Sequence, residues 1–155
     1  MTTKALDRPR VDEIEIDELQ QTLVELIDLS LQGKQAHWNV SGPLFRSIHL
    51  ELDEIVDVAR LAADEVAERL VTVGVPPDGR AATIAAAAPF QPLPAGIISS
   101  ERAVRAMGQL LDDLAERLGE RIKLLAEPDP ISQGILITIA ENVEKRAWML
   151  RAQLA

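Results

Sequence analysis

The sequence predicts an all-α fold, a four-helix bundle whose second and third helices are joined by a long crossover loop. Apolar residues recur every three to four positions along four long stretches, and no stretch alternates as a strand would. Prolines, glycines and helix-capping residues separate these stretches. The link between the second and third helices spans roughly 25 residues, while the other two links are short. Such a crossover favours two hairpins that run up-down-down-up.

The first two helices form the first predicted hairpin. The first helix runs from about residue 16 to residue 39, and the second ends near Val73, just before Gly74. Residues 41–43 break the chain between them. Pro43 is expected at the first position of the second helix, where its missing N–H costs little. The apolar face of the first helix comprises Leu19, Leu23, Leu26, Ile27 and Leu31.

The crossover loop is rich in proline and is predicted to contain one short helix over residues 81–88. The third helix is expected to begin near Ser99 or Ser100, since serine is a favoured N-cap, and to end before Pro128. The prolines of the loop are Pro76, Pro77, Pro89, Pro92 and Pro94.

The fourth helix closes the predicted bundle. Asp129 is expected to be its N-cap and Pro130 its first residue, and the helix runs to about Leu154. The length of 155 residues suits a single domain. We therefore expect residues 1–15 to form a flexible N-terminal tail and residues 16–155 to form the bundle.

Composition narrows the classes of function. The chain has no cysteine, which excludes disulfide and thiolate chemistry. Its net charge of −9 repels nucleic acid and attracts cations. No apolar run is long enough to span a bilayer, and the first ten residues lack the apolar stretch of a secretory signal. A cytoplasmic location is therefore expected, with no membrane partner.

The two histidines are candidate metal ligands. His37 lies shortly before the turn between the first two helices, and His49 lies a comparable distance after it. In an antiparallel hairpin both side chains reach the same level, where they can converge. Asp53 follows His49 by four residues and shares its helix face. Two imidazoles and a carboxylate suit Fe(II), and the same donors tolerate Zn or Mn.

A second acidic pair lies further along the same helix face. Asp64 and Glu68 are again four residues apart and belong to the same stripe as His49 and Asp53. However, His49 and Asp64 are separated by roughly 22 Å along the helix axis. Metal–ligand bonds measure only about 2 Å, so the two pairs cannot form one site within one chain.

A second copy of the chain would bring the two pairs together. If the second helices of two chains lie antiparallel about a two-fold axis, each histidine pair faces the other chain's acidic pair. This packing creates two identical sites, each with two histidines and three carboxylates. The axis would pass near Val58 and Ala59. The small side chains expected to permit close approach there are Ala59, Ala62 and Ala63.

These residues carry a resemblance to a known family. Residues 37–45 (HWNVSGPLF), followed by His49, Asp53 and residues 64–69 (DEVAER), resemble the ferroxidase motif of the Dps family of mini-ferritins. The spacings of 12, 4, 11 and 4 between the candidate ligands match that motif without a gap. Residues 144–148 (EKRAW) are similar to the family's last helix. The resemblance covers nearly the whole chain.

The resemblance implies a ferritin-like fold and an iron-oxidising function. Members of the Dps family form a dodecameric cage built from two-fold dimers, so the resemblance implies the same assembly here. Fe(II) is oxidised, preferentially by hydrogen peroxide and otherwise by dioxygen, and is stored as a ferric mineral, which protects against oxidative damage. By the same resemblance, Asp64 and Glu68 would hold the first iron. His37, His49 and Asp53 of the neighbouring chain would complete the site.

The two tryptophans and the acidic turn before the fourth helix also have predicted roles. Trp38, beside His37, is expected to pack at the interface between chains, and the resemblance adds a role as electron donor to the iron site. Trp148 is assigned to the core. The resemblance also places acidic pores near the turn before the fourth helix, so Glu127 and Asp129 are candidates for the iron entry path.

Two other functions remain open at this stage. A His/carboxylate metal site can activate water, so the cage could be an amide or ester hydrolase. Alternatively, it could bind and shield DNA, with incidental metal sites. Few of the first ten residues of the chain are basic, so DNA binding is predicted to be weak or absent. The charged residues of this segment are Lys4, Asp7, Arg8 and Arg10.

Overall fold

The computed structural model describes residues 11–155 of the chain. Four long helices and one short helix make up this part, which confirms the predicted all-α fold class. In chain order the elements are α1 (Glu13–Asn39), β1 (Val40–Ser41), α2 (Phe45–Thr72), α3 (Ala81–Ala87), β2 (Ile98–Ser99), α4 (Ser100–Leu125) and α5 (Pro130–Ala152). Since α1 begins at Glu13, it includes part of the predicted tail. Residues 1–10 lie outside the described residues, and the domain division stays a prediction.

A short parallel pairing fixes the direction of the helices. Val40 of β1 lies opposite Ile98 of β2, and Ser41 lies opposite Ser99. Two residues are too few to show strand alternation, so the sequence did not predict these strands. The pairing places the start of α4 beside the start of α2. These two helices therefore run in the same direction, and the predicted up-down-down-up order is confirmed.

Two predicted helix starts are confirmed. The hydroxyl of Ser99 accepts a hydrogen bond from the backbone N–H of Arg102 at 3.3 Å. The carboxylate of Asp129 accepts one from the backbone N–H of Ser132 at 3.1 Å, and Pro130 is the first residue of α5. Each side chain satisfies a backbone donor that the helix itself leaves free, so both act as N-caps.

The predicted start of α2 is wrong by two residues. The helix begins at Phe45, and Pro43 lies in the turn before it. The backbone N–H of Phe45 donates to the carbonyl of Gly42 at 3.0 Å, which closes a turn over the intervening residues. Gly42 has a φ of 111°, a conformation that disfavours a side chain. The turn between α1 and α2 therefore extends through Leu44.

The core lies between all four long helices and includes most of the apolar face predicted for α1. Leu31 is an exception, being 56% exposed. Trp148 was expected in the core but is 60% exposed, because α5 turns Ala147 and Leu150 inward instead. Large side chains that are fully buried include Leu19, Leu26, Ile48, Leu52, Leu111, Leu114 and Leu118.

The alanines expected at the two-fold axis also belong to this core. Ala59, Ala62 and Ala63 are buried within their own chain. Ala59 and Ala62 lie away from the polar stripe, whereas Ala63 lies beside its histidine edge, since successive residues turn by about 100° around a helix. That these three residues permit close approach of a second chain stays a prediction. The exposed face of α2 presents the polar stripe and Leu61, which is 69% exposed.

The crossover is held against α1 by glutamine side chains. Gln20 accepts from the backbone N–H of Asp78 at 2.9 Å and donates to its carbonyl at 2.8 Å. Gln32 accepts from the backbone N–H of Leu93 at 3.1 Å. These bonds fix the loop across the outside of the first hairpin. None of the helices described here is both long and apolar enough to cross a membrane.

Candidate metal centre

The α1–α2 hairpin brings the two histidines into contact. The rings of His37 and His49 stack with their centroids 3.7 Å apart and their planes inclined by 19°. His37 is only 8% exposed, near the end of α1, while His49 lies one turn into α2. Residues 12 positions apart in sequence thus become direct neighbours because the turn between the helices is short.

Reciprocal hydrogen bonds fix the orientation of both rings. Nδ1 of His37 lies 2.8 Å from the carbonyl oxygen of His49, and Nδ1 of His49 lies 2.9 Å from the carbonyl oxygen of His37. A carbonyl oxygen only accepts hydrogen bonds, so each Nδ1 must carry the proton and donate it. Each Nε2 of the neutral rings therefore keeps its lone pair. This tautomer is the one that binds a metal through Nε2.

Asp53 lies beside the histidine pair and is ion-paired with Lys34. Its carboxylate is 3.7 Å from Nδ1 of His37. The hydrogen bond from Lys34 is the main cause that lowers the pKa of Asp53, against a smaller opposing effect of desolvation. Lys34 was not among the site residues predicted from the sequence. Its position three residues before His37, on the same helix face, was the available signal.

One aromatic ring packs against the histidine pair, and a second exposed aromatic residue is adjacent to it in the sequence. The ring of Phe45 packs at a tilt of 31° against His49, with centroids 5.0 Å apart, and is itself 44% exposed. Trp38 is 69% exposed next to His37. In the single chain, large apolar surfaces therefore lie open beside the imidazoles. Such exposed aromatic side chains are typical of surfaces that contact another protein.

The predicted acidic pair stands apart from the histidines. The side chains of Asp64 and Glu68 are exposed and have no hydrogen bond or ion pair within residues 11–155. In the same residues, no group of three or more histidines and carboxylates is arranged to hold a metal ion. One chain thus brings His37, His49 and Asp53 together but leaves Asp64 and Glu68 elsewhere along α2.

Comparison with known proteins identifies the family. The Ferritin-like domain family matches residues 16–155. A Deinococcus radiodurans protein, DNA protection during starvation protein 2, is 36% identical over 90% of this chain, which spans 58% of that relative's length. A Mycolicibacterium smegmatis relative, DNA protection during starvation protein, is 34% identical, with 89% of this chain and 75% of the relative aligned. This chain belongs to the Dps family of ferritin-like proteins.

A solved Dps structure supports the same assignment. The Dps of Microbacterium arborescens, described in its high iron form, superposes with a TM-score of 0.89 at 34% identity. The match covers 97% of this chain and 99% of that one. Membership of the Dps family confirms the resemblance seen in the motif and the ferritin-like bundle. The metal ligands themselves stay a prediction.

The acidic turn of this Dps chain does not support the whole predicted entry path. Asp129 is only 4% exposed, and its carboxylate accepts from Arg69 at 2.9 Å as well as from Ser132. Burial raises the pKa of Asp129, but these hydrogen bonds outweigh it and lower the pKa below its usual value. Asp129 is therefore a structural carboxylate within its own chain, and its assignment to a pore stays a prediction. Glu127 is exposed.

Proposed function

We propose that this chain forms a dodecameric cage from two-fold dimers, oxidises Fe(II) at sites shared between chains and stores the ferric product. One observation carries the proposal. His49 and the acidic pair without partners lie on one stripe of α2, and His37 of α1 stacks on His49 with both Nε2 atoms free. The histidines and the acidic pair are separated by roughly 22 Å along the helix axis. Antiparallel packing of two α2 helices would unite them and would cover the exposed aromatic side chains.

The proposed ligands have distinct roles. Asp64 and Glu68 of one chain bind the first Fe(II) through their carboxylate oxygens, and mixed histidine and carboxylate donors suit this ion. His37, His49 and Asp53 of the neighbouring chain complete the site through two Nε2 atoms and a carboxylate. Zn(II) or Mn(II) can occupy the same donors as substitutes. Membership of the Dps family supports this set, because the motif spacing of the family is met in full.

The proposed reaction consumes iron and peroxide together. Each of two Fe(II) ions gives up one electron, and hydrogen peroxide takes both electrons and two protons to form two water molecules. The oxygen–oxygen bond breaks without release of a hydroxyl radical. Dioxygen is the alternative oxidant. Removing both reagents at once would protect the cell against oxidative damage, and the net charge of −9 would help attract Fe(II) to the cage.

Trp38 is proposed to act mainly by packing. Its 69% exposure beside His37 gives it a large apolar surface that a second chain can bury. The same position next to the histidine pair would also let its indole donate an electron during iron oxidation. Packing is the greater share of the proposed role, since tryptophan is well suited to interfaces between chains.

DNA binding is proposed to be weak or absent, although the relatives named above are DNA protection proteins. Most lysines and arginines of residues 11–155 are already engaged in ion pairs with carboxylates. Affinity for phosphate depends on the number of available cations. The cations without an ion pair in that part of the chain are Arg46, Arg60, Arg102 and Lys145.

The proposal is tested by native mass and iron oxidation on the full chain. We expect a dodecamer and rapid ferric absorbance when peroxide follows anaerobic Fe(II), without nicking of added plasmid DNA. The Asp64→Ala, Glu68→Ala double variant should assemble but oxidise iron slowly. Glu65→Ala, which removes an exposed carboxylate outside the stripe, is the matched control and should keep the rate.

Three results would overturn the proposal. A stable monomer at micromolar concentration would remove both the cage and the shared site. An unchanged rate in the double variant would remove the ligand assignment. Turnover of acyl substrates by Zn- or Mn-loaded protein without oxidant would instead indicate a hydrolase. A gel shift that persists at physiological salt would contradict the statement on DNA.

A further inference from the structure

Gly33 marks the closest approach of α1 to α2. A Cβ atom placed on Gly33 would lie 2.7 Å from Cγ2 of Val56, with Cε of Met107 at 3.9 Å. Val56 is fully buried and β-branched, so its side chain has little freedom to rotate away inside a helix. The space beside Gly33 is therefore too small for even one methyl group. Any other residue type would force Val56 or the helix backbones to shift.

This contact lies next to the histidine pair. Gly33 precedes His37 by one helical turn on the same face of α1, and Val56 follows His49 by two turns on α2. The two imidazoles connect the same helices through their reciprocal bonds of 2.8 and 2.9 Å. Each bond runs from a ring on one helix to a backbone carbonyl on the other. The spacing of the backbones therefore decides whether both bonds form.

The displacement of the helices that an alanine at position 33 requires is large compared with the range of hydrogen-bond lengths. Ordinary van der Waals contact begins at 3.4 Å, so an alanine at position 33 must open the helices by about 0.7 Å. If that opening reaches the histidines, both Nδ1–O distances grow to about 3.5 Å, beyond the normal range for such bonds. The proton would then no longer be held on Nδ1, and each Nε2 would lose its fixed direction.

We propose that Gly33 is a positioning residue for the metal site. By letting α1 and α2 meet without a side chain between them, it allows each histidine to reach the other's carbonyl and to present Nε2 to the metal. Gly33 touches neither metal nor oxidant and acts only through His37 and His49. The consequence for iron oxidation rests on the proposed function, whereas the consequence for the histidine pair does not.

Four variants of the full-length assembled protein separate this role from a general loss of stability. Gly33→Ala introduces the clash, and Val56→Ala alone removes the opposing methyl group. The double variant Gly33→Ala, Val56→Ala combines the two changes and should restore the helix spacing. Gly119→Ala is the matched control, because a Cβ at this helical glycine would meet nothing within 4 Å.

The first measurement needs no metal. The chain has only two histidines, so histidine-selective NMR in a deuterated background yields two sets of ring signals. We expect both rings of the parent and of Gly119→Ala to be locked as the Nδ1–H tautomer. In Gly33→Ala we expect a mixture of tautomers, and in the double variant a return to the parental signals. If Gly33→Ala fails to fold, the double variant must fold and show the locked pair.

Metal binding and oxidation complete the test. Titration with Co(II), a redox-inert probe for Fe(II), should show roughly tenfold weaker binding in Gly33→Ala and recovery in the double variant. Fe(II) oxidation should fall and recover in parallel. Unchanged tautomers in Gly33→Ala, or no recovery in the double variant, would overturn the role of Gly33. A locked pair in a parent that binds Co(II) but does not oxidise iron would instead refute the proposed function alone.

Discussion

The two ends of α2 carry the two halves of the candidate site, and they differ in how much of their geometry one chain provides. At the N-terminal end, His37 and His49 are stacked and held by reciprocal hydrogen bonds. Beside them, Asp53 forms an ion pair with Lys34. At the C-terminal end, Asp64 and Glu68 project from the helix surface, and within residues 11–155 their side chains have no partner. The first half is preorganised, whereas the second is only positioned along the helix.

This difference indicates what each half requires in order to bind iron. Imidazole has two nitrogens, and only the correct tautomer leaves one available, so the histidines gain from being fixed in advance. Carboxylates can bind a metal through either oxygen and in several directions, so Asp64 and Glu68 need less preparation. The free acidic pair is also a source of mutual repulsion that a bound cation relieves. Assembly of two chains would therefore complete the site.

The largest expected effect comes from separating the two halves onto different chains. One variant lacks His37, His49 and Asp53, and another lacks Asp64 and Glu68. Each alone should assemble but lose roughly a hundredfold in iron oxidation rate. A mixed dimer carries one intact site and one doubly damaged site, so random co-assembly should restore roughly a quarter of the parental rate. Mixed dimers detected by mass spectrometry without any return of activity would contradict the shared site.

The next effect concerns the anchor of the acidic half. Arg69 follows Glu68 directly and bonds to the buried carboxylate of Asp129. Asp129→Ala removes an N-cap and leaves Arg69 largely buried without its partner, so we expect a loss of about 3 kcal/mol in the free energy of unfolding. Denaturant titration measures it, with the exposed Asp17→Ala as control. A loss below about 1 kcal/mol would contradict the anchor.

The same anchor predicts a dependence of stability on pH. The folded state lowers the pKa of Asp129 below its ordinary value of 3.8. The stabilising contribution of a carboxylate with a lowered pKa is complete above the unfolded pKa and disappears as the pH falls through the folded pKa. We therefore expect the difference in unfolding free energy between the parent and Asp129→Ala to be constant at neutral pH and to shrink below about pH 4. A constant difference down to pH 2 would exclude this linkage.

A smaller effect is expected in the preorganised half. Lys34 holds Asp53 in an ion pair, so a metal ion must displace the ammonium group before it can use that carboxylate. Lys34→Met should therefore strengthen Co(II) binding roughly threefold, a modest change because Asp53 is partly exposed. Lys34→Arg keeps the charge and is the control. Calorimetric titration at low salt distinguishes the two, and weaker binding in Lys34→Met would show that the lysine assists the metal.

The smallest effect separates the two roles proposed for Trp38. Trp38→Phe keeps an aromatic ring for packing but removes the indole, so we expect iron oxidation to change by less than about twofold. Trp38→Ala removes the packing surface and should weaken the assembly, measured by native mass on dilution. A large loss of rate in Trp38→Phe, with the assembly intact, would instead favour electron donation by the indole.

Much of the fold was predictable because its signals are local. Helical spacing, the N-caps Ser99 and Asp129 and the long crossover are written in consecutive residues, and the structure confirms them. The start of α2 was missed because Pro43 also suits a turn, and the turn was favoured by the conformation of Gly42. The β1–β2 pairing was missed because two residues carry no alternating pattern.

The candidate site was predictable for a different reason. Spacing of 12, 4, 11 and 4 between ligand-type residues places them on known faces of two helices, and the short turn sets their level. The burial of individual side chains was harder to predict from the sequence. Trp148 is apolar but exposed, and Ala59, expected beside the two-fold axis, is buried within its own chain. Such outcomes depend on how the helices rotate against one another, which amphipathic spacing alone specifies only coarsely.

The sequence by itself determined the helices, the order of the hairpins, the family and the positions of the candidate ligands, because each depends on residues close together in the chain. Only the tertiary structure decided the contacts between distant residues. It paired Arg69 with Asp129, fitted Gly33 against Val56 and fixed the tautomer of both histidines. These contacts depend on distances of a few tenths of an ångström between packed helices, and no local pattern in the sequence encodes distances of that size.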